Sequence, residues 1–451
     1  MPPTIAPAVK RAFDLTKNNA AAHHAAAPSK PSGPAKGGLD MLFRTSFDIG
    51  LFNVVAQTDE AGSPLLAAAT ADGVLSFVDA SDGRIVARCD SEDVEDPPNV
   101  MSFAGAQFLV ACGDDAQCRT ISVTGELVHA HSVTEPVADG KRPRVSSIDH
   151  MAVLGGVTYV AAAGRLVHCV SDGKLEHAHH AASPVRALCA SPTREQHPST
   201  ASQWAYAIAC AESVTLVSSA GEAVAQLSSK YTVRSLSAFG PWLAAAGMEG
   251  AIELWDVDGT AVDTPAYHTL RSNCGSDGYS LGWRADGGAL AVGGRKAAVF
   301  DFTGENKPHP YRAKAGWAGW AARAGQPDLV PRICMANMGE GLGAPFVAWS
   351  PARPASNPAG APSAEMATVD DMGGVQLWQP HGLPCRKGGV GDPAQPQRMK
   401  PQFYTFINHD AVHPSGEACK PCALVWLRGQ AAVAVGYFSG EIVAWRVAGA
   451  M

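Results

Sequence analysis

The sequence predicts an all-β protein in which one short unit is repeated along most of the chain. Three observations lead to this prediction. Paired turns, many of them Asp-Gly, recur about every 40 residues and enclose a short strand. An apolar run typical of a buried strand precedes most of these pairs. Only 17% of the 451 residues are charged, and the 46 Gly and 32 Pro suit many short strands joined by turns.

The repeated unit is clearest in WLAAAGMEGAIELWDVDG, residues 242–259. An apolar strand, a turn at Glu249-Gly250, a strand ending in Trp255-Asp256 and a turn at Asp258-Gly259 follow one another. Eight copies of the enclosed strand can be aligned: Val74–Asp79, Cys118–Val123, Arg165–Val170, Val214–Val217, Ile252–Asp256, Ala297–Phe302, Val375–Trp378 and Glu441–Trp445. Eight copies of this length predict a closed β-propeller of eight four-stranded blades.

The two ends of the repeat region predict how the ring closes. After Trp445 too few residues remain for an outer strand, whereas Leu42–Phe47 forms a strand without a unit of its own. Because an open sheet edge is a liability, we expect Leu42–Phe47 to complete the last blade. Seven blades are the alternative, because the inserts Ala315–Gly343 and Gly382–Pro401 blur the count.

These residues resemble the WD-repeat β-propeller family across most of the chain. The best matches are Trp242–Gly259 and Tyr279–Phe302, with Phe346–Pro351 and Ser183–Pro192 similar to the family's inner strands. A true Trp-Asp ending occurs once, at Trp255, so the family's His–Asp–Ser/Thr–Trp hydrogen bonds are expected to be absent from most blades. The resemblance implies a rigid, non-catalytic platform that holds partners through the loops of one face and the central opening.

Residues 1–40 are predicted to be a disordered, Ala/Pro-rich tail ahead of a propeller spanning residues 41–451. The tail carries a net charge of +3. Because the whole chain carries −7, the remaining residues carry −10. Within the tail, a short helix over residues 7–18 is a partner-binding candidate through Val9, Lys10, Arg11 and Phe13. A plain tail or a transit peptide are the alternatives.

Two loops of the body are further candidates for binding partners. Lys141, Arg142 and Arg144 form a basic loop that could contact phosphate or act as a nuclear signal, although the pattern favours a solvated loop. Trp317 and Trp320 lie three residues apart in a long insert and could anchor an interface or pack on the propeller wall. An acidic body makes nucleic-acid binding possible only through such local basic loops.

Possible metal ligands occur late in the chain. Two His and two Cys in one polar stretch could coordinate zinc tetrahedrally, although their spacings match no common zinc finger and an exposed connector is the alternative. These candidates are His409, His413, Cys419 and Cys422. His177 and His179 share one face of an outer strand, which we interpret as an exposed polar face. The G-x-S-x-G match at residues 278–282 begins an inner strand and is no nucleophile elbow.

These patterns favour a non-catalytic scaffold within a larger protein or ribonucleoprotein assembly. The alternative is a propeller enzyme or a zinc-binding module that uses the central funnel or the Cys/His stretch at 409–422. No cofactor motif was found, and no apolar run approaches the roughly 20 residues of a membrane helix. Scattered cysteines indicate a reducing compartment, cytoplasmic or nuclear, or an organelle reached through the N-terminal tail.

Overall fold

A computed structural model describes residues 39–57, 64–89, 97–134, 147–192, 204–248 and 250–257 and several shorter segments. The shorter segments are 264–265, 268–271, 280–284, 287, 289–294, 297–301, 332–336, 346–349, 366–370, 373–378, 397–399, 420–427 and 432–447. Every regular element in these residues is a β-strand. The prediction of an all-β protein is therefore confirmed.

The strands follow one another in chain order and are grouped here by blade. The chain begins with β1 (Leu39–Ser46). Blade 1 holds β2 (Leu51–Ala56), β3 (Leu65–Thr70), β4 (Leu75–Asp79) and β5 (Ile85–Cys89). Blade 2 holds β6 (Pro98–Ala104), β7 (Phe108–Gly113), β8 (Gln117–Ser122) and β9 (Leu127–Ser132). Blade 3 holds β10 (Ile148–Gly155), β11 (Thr158–Ala163), β12 (Leu166–Ser171) and β13 (Lys174–His180).

The later blades are built in the same way. Blade 4 holds β14 (Ala187–Ala190), β15 (Tyr206–Ala209), β16 (Ser213–Val217) and β17 (Ala223–Ser228). Blade 5 holds β18 (Val233–Phe239), β19 (Trp242–Gly247) and β20 (Ala251–Asp256); β21 (Thr264–Pro265) precedes its outer strand β22 (His268–Arg271). Blade 6 holds β23 (Ser280–Trp283), β24 (Ala289–Gly293), β25 (Ala298–Asp301) and β26 (Arg332–Ala336). Blade 7 holds β27 (Phe346–Trp349), β28 (Met366–Val369) and β29 (Val375–Trp378), and β30 (Gln397–Met399) follows. Blade 8 holds β31 (Pro421–Leu427), β32 (Ala432–Tyr437) and β33 (Glu441–Val447).

These strands form eight sheets, one for each predicted blade. Within each blade, consecutive strands pair antiparallel from the inner strand outward. Blades 4 and 6 gain a fifth strand that the sequence did not predict, because β21 and β30 add in parallel to β17 and β26. The described part of blade 7 has three strands rather than four.

Neighbouring blades are joined by apolar cores. The described residues contain eight clusters of buried hydrophobic side chains, and each lies between two consecutive blades, including blades 8 and 1. The second strands supply much of this core; in β3 and β19, for example, the last five residues are all buried. Burying apolar area stabilises the fold by roughly 25 cal/mol per Å². The clusters thus form a continuous ring of packing that joins the eight sheets.

The first strand closes this ring. β1 pairs antiparallel with β33, from Leu39 opposite Val447 to Ser46 opposite Glu441. Phe43 of β1 is packed in the cluster between blades 8 and 1. The prediction that the N-terminal strand completes the last blade is confirmed, although the strand covers 39–46 rather than 42–47.

The glycines of the outer turns allow one blade to pack on the next. Gly173 has a φ of +74°, and a Cβ added to it would lie 2.6 Å from Cγ of His129 in the preceding blade. The same relationship joins Gly221 to His177, with a distance of 2.5 Å to Cδ2. These glycines are therefore needed for the conformation of the turn. They also leave the space that an imidazole ring from the neighbouring blade occupies.

Indole groups add hydrogen bonds between the inner strands of the later blades. In three successive blades, a Trp near the end of the inner strand donates from Nε1 to a backbone oxygen of the preceding inner strand. The pairs are Trp283 to Ser237 at 3.2 Å, Trp349 to Gly282 at 2.7 Å and Trp426 to Ala348 at 2.8 Å. This series links blades 5 to 8 by direct polar contacts.

In the blade with the Trp-Asp ending, the described residues do not make the family's hydrogen bond to that Trp. Trp255 is fully buried, and its Nε1 has no hydrogen-bond partner among these residues. Instead, the buried carboxylate of Glu253 on the same strand accepts hydrogen bonds from Ser229 Oγ and from the backbone N–H of Lys230. A carboxylate in the third strand thus holds the loop that leads into this blade.

Candidate functional site

The best-defined candidate surface is one end of the ring, which we call the mouth. Each inner strand begins at this end, and the turn between the second and third strands of the blade lies beside that beginning. The register shows this directly, because Pro98 pairs with Gly113, Ile148 with Ala163 and Val233 with Gly247. Side chains from successive blades are therefore brought together around the central opening.

Bulges at the start of the inner strands determine which side chains line the mouth. The register shifts by one residue at Asn99, Asp149 and Arg234, each the second residue of its inner strand. A bulge leaves one residue out of the ladder and redirects its side chain. Asp149 and Arg234 are exposed and Asn99 is half-buried, so each bulge directs a polar group toward solvent at the mouth.

Hydrogen bonds connect the polar residues of blades 1 to 3. Asn53 Nδ2 donates to the backbone oxygen of Asn99 at 3.3 Å. The Nδ2 of Asn99 donates to Oδ1 of Asp114 at 2.6 Å and to Oδ1 of Asp149 at 3.3 Å. Ser147 Oγ donates to Oδ2 of Asp149 at 3.1 Å. One side-chain amide therefore holds two carboxylates from different blades close together.

Charge changes sign around the mouth. Among the described residues, the exposed or half-exposed charges at the mouth of blades 1 to 3, up to the turn that contains Arg165, are acidic and include Asp72, Asp114 and Asp149. From Arg165, in the turn between β11 and β12, to blade 5, the described charges at the mouth are mainly basic, with Glu212 an acidic exception: Arg165, Arg186, Lys230 and Arg234 are all exposed. The mouth therefore presents an acidic arc next to a basic arc, a field that suits a partner of mixed charge.

His150 lies where the two arcs meet. Burial lowers the pKa of its imidazole, the neighbouring Asp149 carboxylate acts in the opposite direction, and the Arg186 guanidinium lowers it further. The imidazole is consequently held neutral at pH 7, when an unperturbed His is already mostly neutral. It can donate one hydrogen bond and accept another at this boundary.

The mouth also has an apolar part, at the junction of blades 8 and 1. Ile49 is 42% exposed and Phe438 is 39% exposed. Their turns are in contact, since a Cβ on Gly50 would lie 2.5 Å from the backbone oxygen of Phe438. Exposed aromatic and aliphatic side chains beside polar groups are typical of the anchoring points of protein interfaces.

A second concave feature lies at the opposite end of the ring, between blades 3 and 4. It is an open cleft of about 650 Å³ that includes Thr158, Cys169, His177 and Tyr206. His177 Nε2 and Tyr206 Oη are 3.0 Å apart, and Thr158 Oγ1 lies 2.8 Å from Ser171 Oγ. Burial raises the pKa of Cys169 to about 11, so its thiol is protonated at neutral pH.

Histidines of blades 2 and 3 also meet in the wall of the ring. His131 Nε2 lies 2.9 Å from His168 Nδ1. Burial, together with His131 and His180, lowers the pKa of His168 to about 4. His177 and His179 are half-buried on the outer strand β13, so that face contributes to packing between blades and is less exposed than the sequence predicted.

Most of the residues singled out from the sequence lie outside the described residues. They are Val9, Lys10, Arg11, Phe13, Lys141, Arg142, Arg144, Trp317, Trp320, His409, His413 and Cys419. Their proposed roles stay predictions. The exception is Cys422, which lies in the inner strand β31 rather than in a polar loop. Its side chain packs in the cluster between blades 8 and 1, and burial raises the pKa of its thiol to about 12.

The described residues also bear on metal sites and on membrane spans. Within these ranges, no group of three or more His, Cys, Asp or Glu side chains has an arrangement that could hold a metal ion. The same ranges contain no helix of the length and apolar character required to cross a membrane.

Comparisons with known proteins agree with the architecture. No family model matches the sequence, and no curated protein matches it. Among solved structures, the C-terminal WD40 domain of Sif2 superposes with a TM-score of 0.61 at 10% identity, over 91% of this chain and 99% of that one. The fold is that of a WD40-type β-propeller. The computationally designed Ika8 protein is also similar, with a TM-score of 0.59 at 12% identity over 90% of this chain and 99% of the designed chain.

The mouth residues of the propeller were not predicted from the sequence, because no catalytic or binding motif marks them. A signal was nevertheless present. In blades 2 to 5, a polar residue occurs at or just before the start of an otherwise apolar inner strand: Asn99, Asp149, Arg186 and Arg234. Aligning the inner strands by their first residues, rather than by the Asp-Gly turns, would have grouped these positions.

Proposed function

We propose that this propeller is a non-catalytic interaction scaffold and a subunit of a larger protein or ribonucleoprotein assembly inside the cell. The observation that carries the proposal is the mouth, where exposed acidic, basic and apolar side chains of successive blades face the same opening. WD40-type propellers generally act by holding other proteins, which supports this interpretation.

The rigid packing between neighbouring blades supports the same proposal. Apolar clusters between all neighbouring blades and the Trp hydrogen bonds fix the inner strands relative to one another. A fixed array of side chains loses little conformational entropy on binding, so it suits recognition of a partner surface. The N-terminal tail and the long inserts would provide additional contacts.

Co-purification tests the proposal. The tagged full-length protein and a version lacking residues 1–38 would be isolated from the source cells under identical conditions. We expect the full-length protein to carry stoichiometric partners and the shortened protein to lose some of them. A full-length protein that is isolated alone, and that carries bound zinc or turns over a substrate, would support the enzyme or zinc-module alternative instead.

A further inference from the structure

Two cysteines of blade 2 are placed opposite each other on neighbouring strands. Cys112 of β7 and Cys118 of β8 are direct partners in the antiparallel register. Both side chains are fully buried. Their Sγ atoms are 2.8 Å apart, and Cys112 Sγ also lies 3.6 Å from Sδ of Met151 in blade 3. Neither cysteine is part of a disulfide.

The backbone geometry of this pair is compatible with a covalent bond. Directly opposed residues in an antiparallel pair have Cα atoms about 4.5–5.5 Å apart. That range lies within the roughly 4.4–6.8 Å seen for disulfides, whose S–S bond is about 2.05 Å. Small side-chain rotations would therefore bring the two sulfur atoms of Cys112 and Cys118 together without moving the strands.

We propose that Cys112 and Cys118 form a redox modification site, a reversible cross-strand disulfide that closes the turn between β7 and β8. The turn carries Asp114, which accepts the hydrogen bond from Asn99 at the mouth. It also holds Ala116 at a φ of +57°, a conformation that non-glycine residues rarely adopt. A disulfide across its base would hold this strained turn, and with it one acidic group of the mouth, in place.

The chemistry balances with a peroxide as the oxidant. One cysteine, as a thiolate, attacks the peroxide O–O bond and becomes a sulfenic acid, and the leaving hydroxide takes a proton to form water. The second thiol gives up its proton and attacks the sulfenic sulfur, so that the S–S bond forms and a second water leaves. Two thiols lose two electrons and the peroxide gains them. A dithiol reductant reverses the reaction by thiol–disulfide exchange.

Burial controls the rate of this reaction. Desolvation raises the pKa of the Cys112 thiol well above its ordinary value, and the contact with Cys118 acts in the same direction. The thiolate is the reactive species, so the closed hairpin protects the pair. Oxidation is then expected to follow transient opening of the turn, and to be faster at alkaline pH than at pH 7.

Mass spectrometry of the wild-type full-length protein tests the inference. The protein would be treated with hydrogen peroxide, denatured in N-ethylmaleimide and digested. We expect a peptide containing both Cys112 and Cys118 without alkylation and lighter by two hydrogens, about 2 Da, restored to two alkylated thiols by dithiothreitol. The buried Cys169 and the half-buried Cys189 serve as internal controls and should remain alkylated.

Three outcomes would overturn the inference. Both cysteines could still be alkylated after prolonged peroxide treatment, one of them could be recovered as a sulfinic acid, or either could be bridged to another cysteine. The variant Cys118→Ser adds a check, because the disulfide-linked peptide that is lighter by two hydrogens should then be absent. The wild-type measurement does not depend on that variant being folded.

Discussion

Arg44 and Glu441 are 397 positions apart in the sequence, and they form an ion pair between β1 and β33, the two strands that close the ring. Arg44 donates from Nε and from Nη2 to the same carboxylate oxygen of Glu441, with an Nε to Oε1 distance of 2.8 Å. Ser46 Oγ lies 3.5 Å from that oxygen. The carboxylate side chain is only 10% exposed. Closure of the ring therefore combines the β1–β33 ladder with a largely buried charge pair.

Removing the arginine should weaken the closure. In Arg44→Ala, the Glu441 carboxylate stays largely buried without its cationic partner, which costs on the order of 1–3 kcal/mol. Urea unfolding would measure the loss. Met41→Ala is the matched control on the same strand, because Met41 is 60% exposed and its removal should change the stability by less than about 0.5 kcal/mol. Equal stabilities for the two variants would contradict this role for the ion pair.

The turn glycines should differ in importance according to what lies beside them. Gly173→Ala forces Ala into a φ of +74° and brings its Cβ against His129, whereas Gly156→Ala meets only the strain of a φ of +53°, since no atom lies within 4 Å. We expect about 1 kcal/mol of destabilisation in Gly156→Ala and about 1–3 kcal/mol more in Gly173→Ala. Urea unfolding of both variants tests this. Similar losses would show that inter-blade packing at Gly173 is unimportant.

Acid should destabilise the propeller through His168. The folded protein holds this imidazole neutral with a pKa of about 4, whereas the unfolded chain binds the proton at a pKa near 6.5. The unfolded state therefore binds more protons between these values, and stability falls as the pH drops from about 6.5 to about 4. The expected loss from this group is on the order of 2 kcal/mol.

Chemical unfolding measured at several pH values would check this dependence. His168→Asn removes the titrating group while keeping a hydrogen-bonding side chain, so its stability should fall less over the same pH window. If His168→Asn and the wild type show parallel losses between pH 6.5 and 4, other groups are responsible for the acid sensitivity.

The propeller was predictable from the sequence because its turns require particular residues at fixed positions. Gly173 and Gly221 lie at positions where the chain requires a positive φ. Glycines at such turns can be recognised in a single sequence. The closing strand was predictable by the same reasoning, since Glu441–Trp445 had no outer partner other than the segment near Phe43.

The contacts between blades were less predictable. Trp349 could be assigned to an inner strand, but its hydrogen bond to Gly282 depends on how two blades pack, over a separation of 67 residues. The parallel fifth strands β21 and β30 arise from long connections and have no periodic pattern. The mouth charges likewise follow from bulges such as that at Asp149, which local patterns do not reveal.

The most direct test of the proposed function reverses the charges of the mouth. Asp149→Arg combined with Arg186→Glu changes one exposed residue in each arc while leaving the net charge unchanged. Glu126→Arg combined with Lys174→Glu is the matched control, because both residues are exposed and lie at the opposite end of the ring. Both double variants should fold as stably as the wild type, within about 1 kcal/mol, since all four side chains are exposed.

The decisive measurement is the amount of each partner that co-purifies with the two double variants relative to the wild type. Our account predicts that the mouth variant loses partners by at least about tenfold, equivalent to about 1.4 kcal/mol of binding free energy, while the control keeps them. Full retention of every partner by a folded mouth variant would contradict the assignment of the mouth as the interaction surface.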